Sequence, residues 1–113
     1  MRLRNATTGE VIASAVERAD GVVERMVGLL NRRHINSEEG MWFQNCATIH
    51  TLGMRERIDV VFLDREHRVV QTLRNVQRNR VAVSCPGAHV TVELGSGALD
   101  GRDILSGDHL ELE

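Results

Sequence analysis

The chain has 113 residues, 42% apolar and 27% charged, with a formal net charge of −2; this suits one domain, residues 1–113, built on one core, and excludes a disordered chain. All 14 basic residues are arginine and none is lysine, which excludes Schiff-base catalysis by lysine and a P-loop lysine. Basic and acidic residues are interspersed along the chain and form no basic stripe, so nucleic acid is disfavoured as the main partner.

The first predicted elements are two short β-like runs, Leu3 to Ala6 and Val11 to Val16. Gly9 in the Thr7–Glu10 segment permits a tight turn between them, so a hairpin opens the fold. Asp20 is a suitable N-cap for a helix over about residues 21–32, where Val23, Met26, Val27 and Leu30 recur at helical spacing. Arg32 and Arg33 fall in its last turn, where cations favour the helix dipole.

Met41-Trp42-Phe43 follows as a short strand that brings aromatics to a core otherwise made of Val, Leu, Ile and Met. With two Phe, one Trp and no Tyr, a large aromatic-lined groove is not expected. Residues 44–57 are mixed in character. Ile58 to Leu63 reads as the central strand, Asp64 to His67 as a turn, and Arg68 to Val76 as the returning arm of a hairpin. Further strands are expected at Val81 to Ser84, His89 to Leu94 and His109 to Leu112. Short, closely spaced strands with one helix point to an α+β class, mainly β: a small curled sheet or partly closed β-barrel with the 21–32 helix packed on it.

No run approaches the roughly 18 apolar residues of a membrane span, and the N-terminal segment lacks the apolar stretch of a secretory signal. A cytoplasmic location is therefore expected, in which the two cysteines remain thiols. The most informative stretch is His50 to Asp64, where a polar, turn-prone segment runs into an apolar strand that contains one acid, Asp59. An isolated buried charge is very costly, so this carboxylate must be solvated, paired or hydrogen-bonded.

Several short motifs occur in a fixed order: Arg25-x-x-Gly28-Leu29-Leu30-x-Arg32, Gly40-Met41-x-Phe43, Ile58-Asp59-Val60-Val61-Phe62-Leu63-Asp64, Glu93-Leu94, Gly97 and Gly107-Asp108. Together they resemble the conserved bacterial and archaeal proteins known as domain of unknown function 192. The resemblance covers most of the chain. It implies a β-rich fold with a packed helix and no established reaction. Where many members carry Trp-Met-Lys-Asn-Thr, this chain has His50-Thr51-Leu52-Gly53-Met54, closer to a His-Thr-x-Gly-Met variant. Arg57 stands where Pro is common and His67 where Gly is common, so a site built on the Lys-Asn pair is not carried over.

Two Cys-x-x-x-His pairs, Cys46 with His50 and Cys85 with His89, offer the four ligands of a tetrahedral zinc site. The competing account is two small buried thiols and two partly exposed imidazoles. Cys46 or Cys85 with His50 and Asp59 supplies the residue types of an activated thiol, without the sequence context of a known thiol enzyme. Asp59 itself is read as a general base or ligand-orienting carboxylate held on a rigid strand, or as a structural acceptor for the Thr51–Met54 turn or for Arg55 or Arg57. Glu93 and Asp108 have weaker claims, and Asp108 is most simply a turn residue.

The reading that follows is a non-enzymatic module that binds a small molecule or a protein near His50, Thr51, Arg57 and Asp59, with no cofactor expected. The alternatives are a hydrolase-like or metal-dependent enzyme using Cys46, His50 and Asp59, and an oligomeric interaction module with an exposed strand edge.

Overall fold

The computed structural model describes residues 1–19 and 34–113, and across them the backbone forms ten β-strands and no helix. The first hairpin joins β1 (Leu3–Asn5) to β2 (Val11–Ala13), and the C-terminal β10 (Leu110–Leu112) pairs with the other side of β1 to give the sheet order β10-β1-β2. The hairpin turn is held by Asn5, whose Oδ1 accepts the backbone N–H groups of Thr7 and Thr8 at 3.0 and 3.4 Å.

A five-stranded sheet forms the centre. It contains β3 (Ala15–Ala19), β4 (Glu39–Gln44), β6 (Ile58–Leu63), β7 (Val69–Val76) and β9 (Val90–Gly95), in the order β3-β4-β9-β6-β7. β3 and β4 run parallel, and all other neighbours are antiparallel. A third pair, β5 (Thr48–Ile49) with β8 (Val83–Ser84), lies apart from it.

Every residue of β6 and of β9 is buried. An antiparallel strand with no polar alternation must be covered on both faces, and both faces are. On one face Val61, Leu63, Val90, Val92, Leu94 and Trp42 pack with Leu3, Ile12, Ala13 and Leu110 of the three-stranded sheet and with Leu99. On the other, Met41, Phe43, Ile58, Val60 and Phe62 pack with Ile35, Cys46, Ile49, Met54, Val83 and Cys85. The apolar side chains of β6 alternate between the two clusters, as a period of two requires, while Val90, Val92 and Leu94 of β9 all join the first.

These observations correct the expected fold class. The described residues are all β, and their sheets are open: β3 and β7 each pair on one side only within the central sheet, so no barrel closes. The apolar run of β6, interrupted only by Asp59, reflects a sheet covered on both faces and not a curled sheet or partly closed barrel. The helix expected over residues 21–32, like the Arg25 to Arg32 motif, lies outside the described residues. The run Val11 to Val16 is divided at Ser14 between two sheets, and the mixed stretch 44–57 contains β5. Among the described residues no helix is long and apolar enough to cross a membrane.

Candidate functional site

Asp59 is 1% exposed, and both of its carboxylate oxygens are occupied by backbone donors. Asn75 N–H donates to Oδ1 at 2.9 Å and Leu99 N–H to Oδ2 at 3.0 Å. The first donor exists because β7 bulges there. Ile58 faces Val76 and Val60 faces Leu73, so Asp59 alone opposes Arg74 and Asn75, and Asn75 takes a left-handed φ of 53°. A bulge leaves one residue out of the ladder, and Asp59 captures the N–H so released. Ser96 Oγ–H donates a short hydrogen bond to the Asn75 side chain. Asp59 thus ties β7 and the turn after β9 to the central strand.

The His50–Arg57 loop is organised separately. Thr51 is 1% exposed; its hydroxyl donates to Gln77 O at 2.8 Å and accepts Arg80 N–H at 2.8 Å. Its backbone bonds Arg80 O and Asn79 N–H, and Gly53 N–H donates to Asn79 Oδ1 at 3.1 Å. His50 is exposed, with Nδ1 accepting Leu52 N–H at 3.2 Å, and Arg57 is also exposed. No hydrogen bond joins His50, Thr51 or Arg57 to Asp59, whose side chain points to the opposite face of the sheet from Ile58 and Met54. The structural role anticipated for Asp59 is present in kind, with Asn75 and Leu99 as the donors in place of the Thr51–Met54 turn.

Cys46 and Cys85 are free thiols buried in one cluster. The Cys46 thiol donates to Thr48 O at 3.3 Å and the Cys85 thiol to Pro86 O at 3.7 Å, and burial pushes the Cys85 thiol pKa up. His89 is half-buried and meets Cys46 through the backbone, its carbonyl accepting Cys46 N–H at 3.0 Å. Among the described residues, no three His, Cys, Asp or Glu side chains converge closely enough to hold a metal ion. Cys46, His50 and Asp59 each hydrogen-bond to backbone and not to one another. Asp108 is a turn residue: its Oδ2 accepts Leu105 N–H and the Asn5 side-chain amide, both at 3.0 Å, and these bonds lower its pKa.

Glu93 is different. It is 6% exposed in the middle of β9, directly opposite Met41 on β4 and Val60 on β6, so its neighbours across the sheet are apolar. Its carboxyl has no hydrogen-bond or ion-pair partner among the described residues, and desolvation alone raises its pKa from 4.5 to about 7. The residue keeps a small part of its surface, 6%, in contact with solvent. Along the same strand face, Thr91 turns its hydroxyl to Cys46 O at 2.7 Å. At Gly95 the backbone of Ile35 and Asn36 fills the place of a side chain, with Asn36 O only 2.0 Å from where a Cβ would stand. Met54 packs in the cluster on this face, so the His50–Arg57 loop borders it. The signal for Glu93 was present in Val90-Thr91-Val92-Glu93-Leu94, an acid inside an apolar strand, the same signal that drew attention to Asp59.

Fold and site together define a small β-sheet protein with one unpaired, nearly buried acid and no assembled catalytic triad among the described residues. The chain belongs to the domain of unknown function 192 family, described as "Uncharacterized ACR", which it matches over residues 3–112. It is 31% identical to a UPF0127 protein of Thermococcus sibiricus over 119 aligned positions, covering 98% of this chain and 74% of that one. To a UPF0127 protein of Pyrococcus furiosus it is 32% identical over 110 positions, covering 95% and 94%. Two crystal structures share the fold, each with a TM-score of 0.80. One is a protein of unknown function from Novosphingobium aromaticivorans, 23% identical, covering 99% of this chain and 84% of that one. The other is a putative transcription regulator from Sinorhizobium meliloti, 21% identical, covering 97% and 89%.

Proposed function

We propose that this chain is a ligand-binding module whose site lies on the sheet face carrying Glu93, with the His50–Arg57 loop at its rim. The observation that carries the proposal is the Glu93 carboxyl, buried between Met41 and Val60 and without a partner among the described residues. Buried polar groups in native proteins are almost always hydrogen-bonded, and an exception calls for a partner that completes it. An acid in an apolar face is completed by a ligand with an apolar body and one donor nitrogen, an amine. Ionised Glu93 gains a counter-charge from an ammonium group, and the apolar body covers the surrounding Met and Val surface. His50, Thr51 and Arg57 act at the rim, while Asp59 holds the sheet from behind without touching the ligand.

The catalytic alternative built on Cys46, His50 and Asp59 has no comparable support, since those side chains do not meet. Nuclear magnetic resonance of labelled protein at pH 8, titrated with n-butylamine, benzylamine or n-butanol, tests the proposal. The amines are expected to shift the amide signals of Met41, Val60 and Glu93 in the native chain and not in Glu93→Gln, with n-butanol weaker. Shifts that spare these residues, or that persist unchanged in Glu93→Gln, would refute it.

A further inference from the structure

Sequence order hides a concentration of charge that the fold creates. The segments His50–Arg57 and Gln77–Ala82 are fastened to each other by Thr51, whose hydroxyl and backbone bond Gln77, Asn79 and Arg80. Together these two loops carry Arg55, Arg57, Arg78 and Arg80 against one acid, Glu56, in a chain whose net charge is −2. Glu56 is already engaged, its Oε1 3.0 Å from His34 Nδ1 and accepting Ile35 N–H at 3.1 Å. All four arginines are exposed, and none forms an ion pair among the described residues. Arg78 Nη1 donates to Arg55 O at 3.4 Å, so a guanidinium group of one loop rests on the backbone of the other. On the same double loop stand two exposed aliphatic side chains, Leu52 at 43% and Val81 at 78% exposure.

We infer that this double loop docks on an anionic lipid surface, its guanidinium groups on headgroup phosphates and carboxylates and Leu52 and Val81 in the apolar layer beneath. Charge complementarity selects an anionic partner, and the apolar tips select a bilayer among anionic partners. Neither loop carries Phe, Tyr or Trp, and His50 is the one aromatic ring on which a nucleic-acid base could stack, too few for the successive stacking that single strands use. The fourteen residues of the two loops fall short of the roughly 20–30 a side that a stable protein interface engages. A bilayer needs no such matched area. The inference does not need the Glu93 carboxyl; it shares the His50–Arg57 loop with the rim of that site, and the Arg78→Gln with Arg80→Gln variant, outside that rim, separates the two.

The test is co-sedimentation of the intact chain with phosphatidylcholine vesicles with and without phosphatidylserine, alongside a duplex oligonucleotide. Binding is expected on the serine-containing vesicles only and is expected to weaken as salt rises. Arg78→Gln with Arg80→Gln should lower partitioning about 25-fold, following about fivefold for each basic residue near a charged membrane. Arg55→Gln with Arg57→Gln, on the other loop, carries the same expectation and guards against a folding defect in the first variant. Leu52→Ser with Val81→Ser should weaken binding without changing its salt dependence. Equal binding to neutral and anionic vesicles, unchanged binding by both arginine variants, or binding to the oligonucleotide without the vesicles would overturn the inference.

Discussion

Replacing Glu93 with Gln isolates the cost of the buried acid. In the unfolded chain the carboxyl ionises near 4.5, whereas in the fold desolvation holds it protonated to about pH 7. Between these values the native state binds the extra proton, so the stability of the native chain falls as pH rises and levels off once both states are ionised. At about 1.4 kcal/mol per pKa unit the full loss is about 3 kcal/mol, or roughly 10 °C in melting temperature for a domain of this size. Glu93→Gln keeps the shape and cannot ionise. Urea unfolding of both proteins at pH 4.5 and pH 8 should therefore show the variant gaining about 3 kcal/mol on the native chain between the two conditions. Any fixed cost of burying the amide cancels in that comparison. A stability gap that is the same at both pH values would refute the reasoning, because Glu93 would then ionise alike in the folded and unfolded chains.

Asp59→Ala removes the acceptor of two backbone N–H groups, and chemical denaturation should show a loss of about 2–4 kcal/mol; the amides of Asn75 and Leu99 should lose hydrogen-exchange protection first. Gly95→Ala places a methyl group on the backbone of Asn36 and should destabilise by about 3 kcal/mol or more in the same assay, while an Ala variant as stable as the native chain would show that residues 35 and 36 do not cover β9 as described. His67 has its pKa lowered, mainly by burial and next by His109. Unfolded chains then bind more protons than folded ones just below pH 6.5, so stability should fall as pH drops through that window, and imidazole titration followed by magnetic resonance should place His67 below 6.5.

Most of the strand pattern was legible because apolar runs bounded by turn residues leave little choice. The two hairpins, β1-β2 and β6-β7, appear where the runs and the Gly9 and Asp64–His67 turns put them. The architecture was not legible from the same cues. An apolar run such as Ile58 to Leu63 reads alike whether a sheet closes on itself or is covered on both faces, and only the packing of the three-stranded sheet on one side and the β5-β8 pair on the other decides. Ser14 gave no sign that Val11 to Val16 changes sheets. His67 does adopt the left-handed backbone expected where relatives carry Gly, with φ 63°, and its ring meets Trp42 edge-on at 5.0 Å.

For the site, the rule that an acid inside an apolar strand must be explained pointed to Asp59 and applied equally to Glu93. What separates them is invisible in one dimension. Asp59 lies opposite a bulge and beside a turn, so two N–H groups reach it, whereas Glu93 sits in an unbroken ladder between Met41 and Val60, where every backbone donor is already used. The spacing of Cys46, His50, Cys85 and His89 likewise suggested convergence that the backbone does not produce.

A direct measurement of the side-chain carboxyl carbon of Glu93 across a pH titration tests the central claim, that this acid is buried in an apolar face with no partner among the described residues. An inflection near pH 7 in the ligand-free chain, moving downward when an amine is added, is the predicted result. An inflection near 4.5 that no amine alters would contradict it.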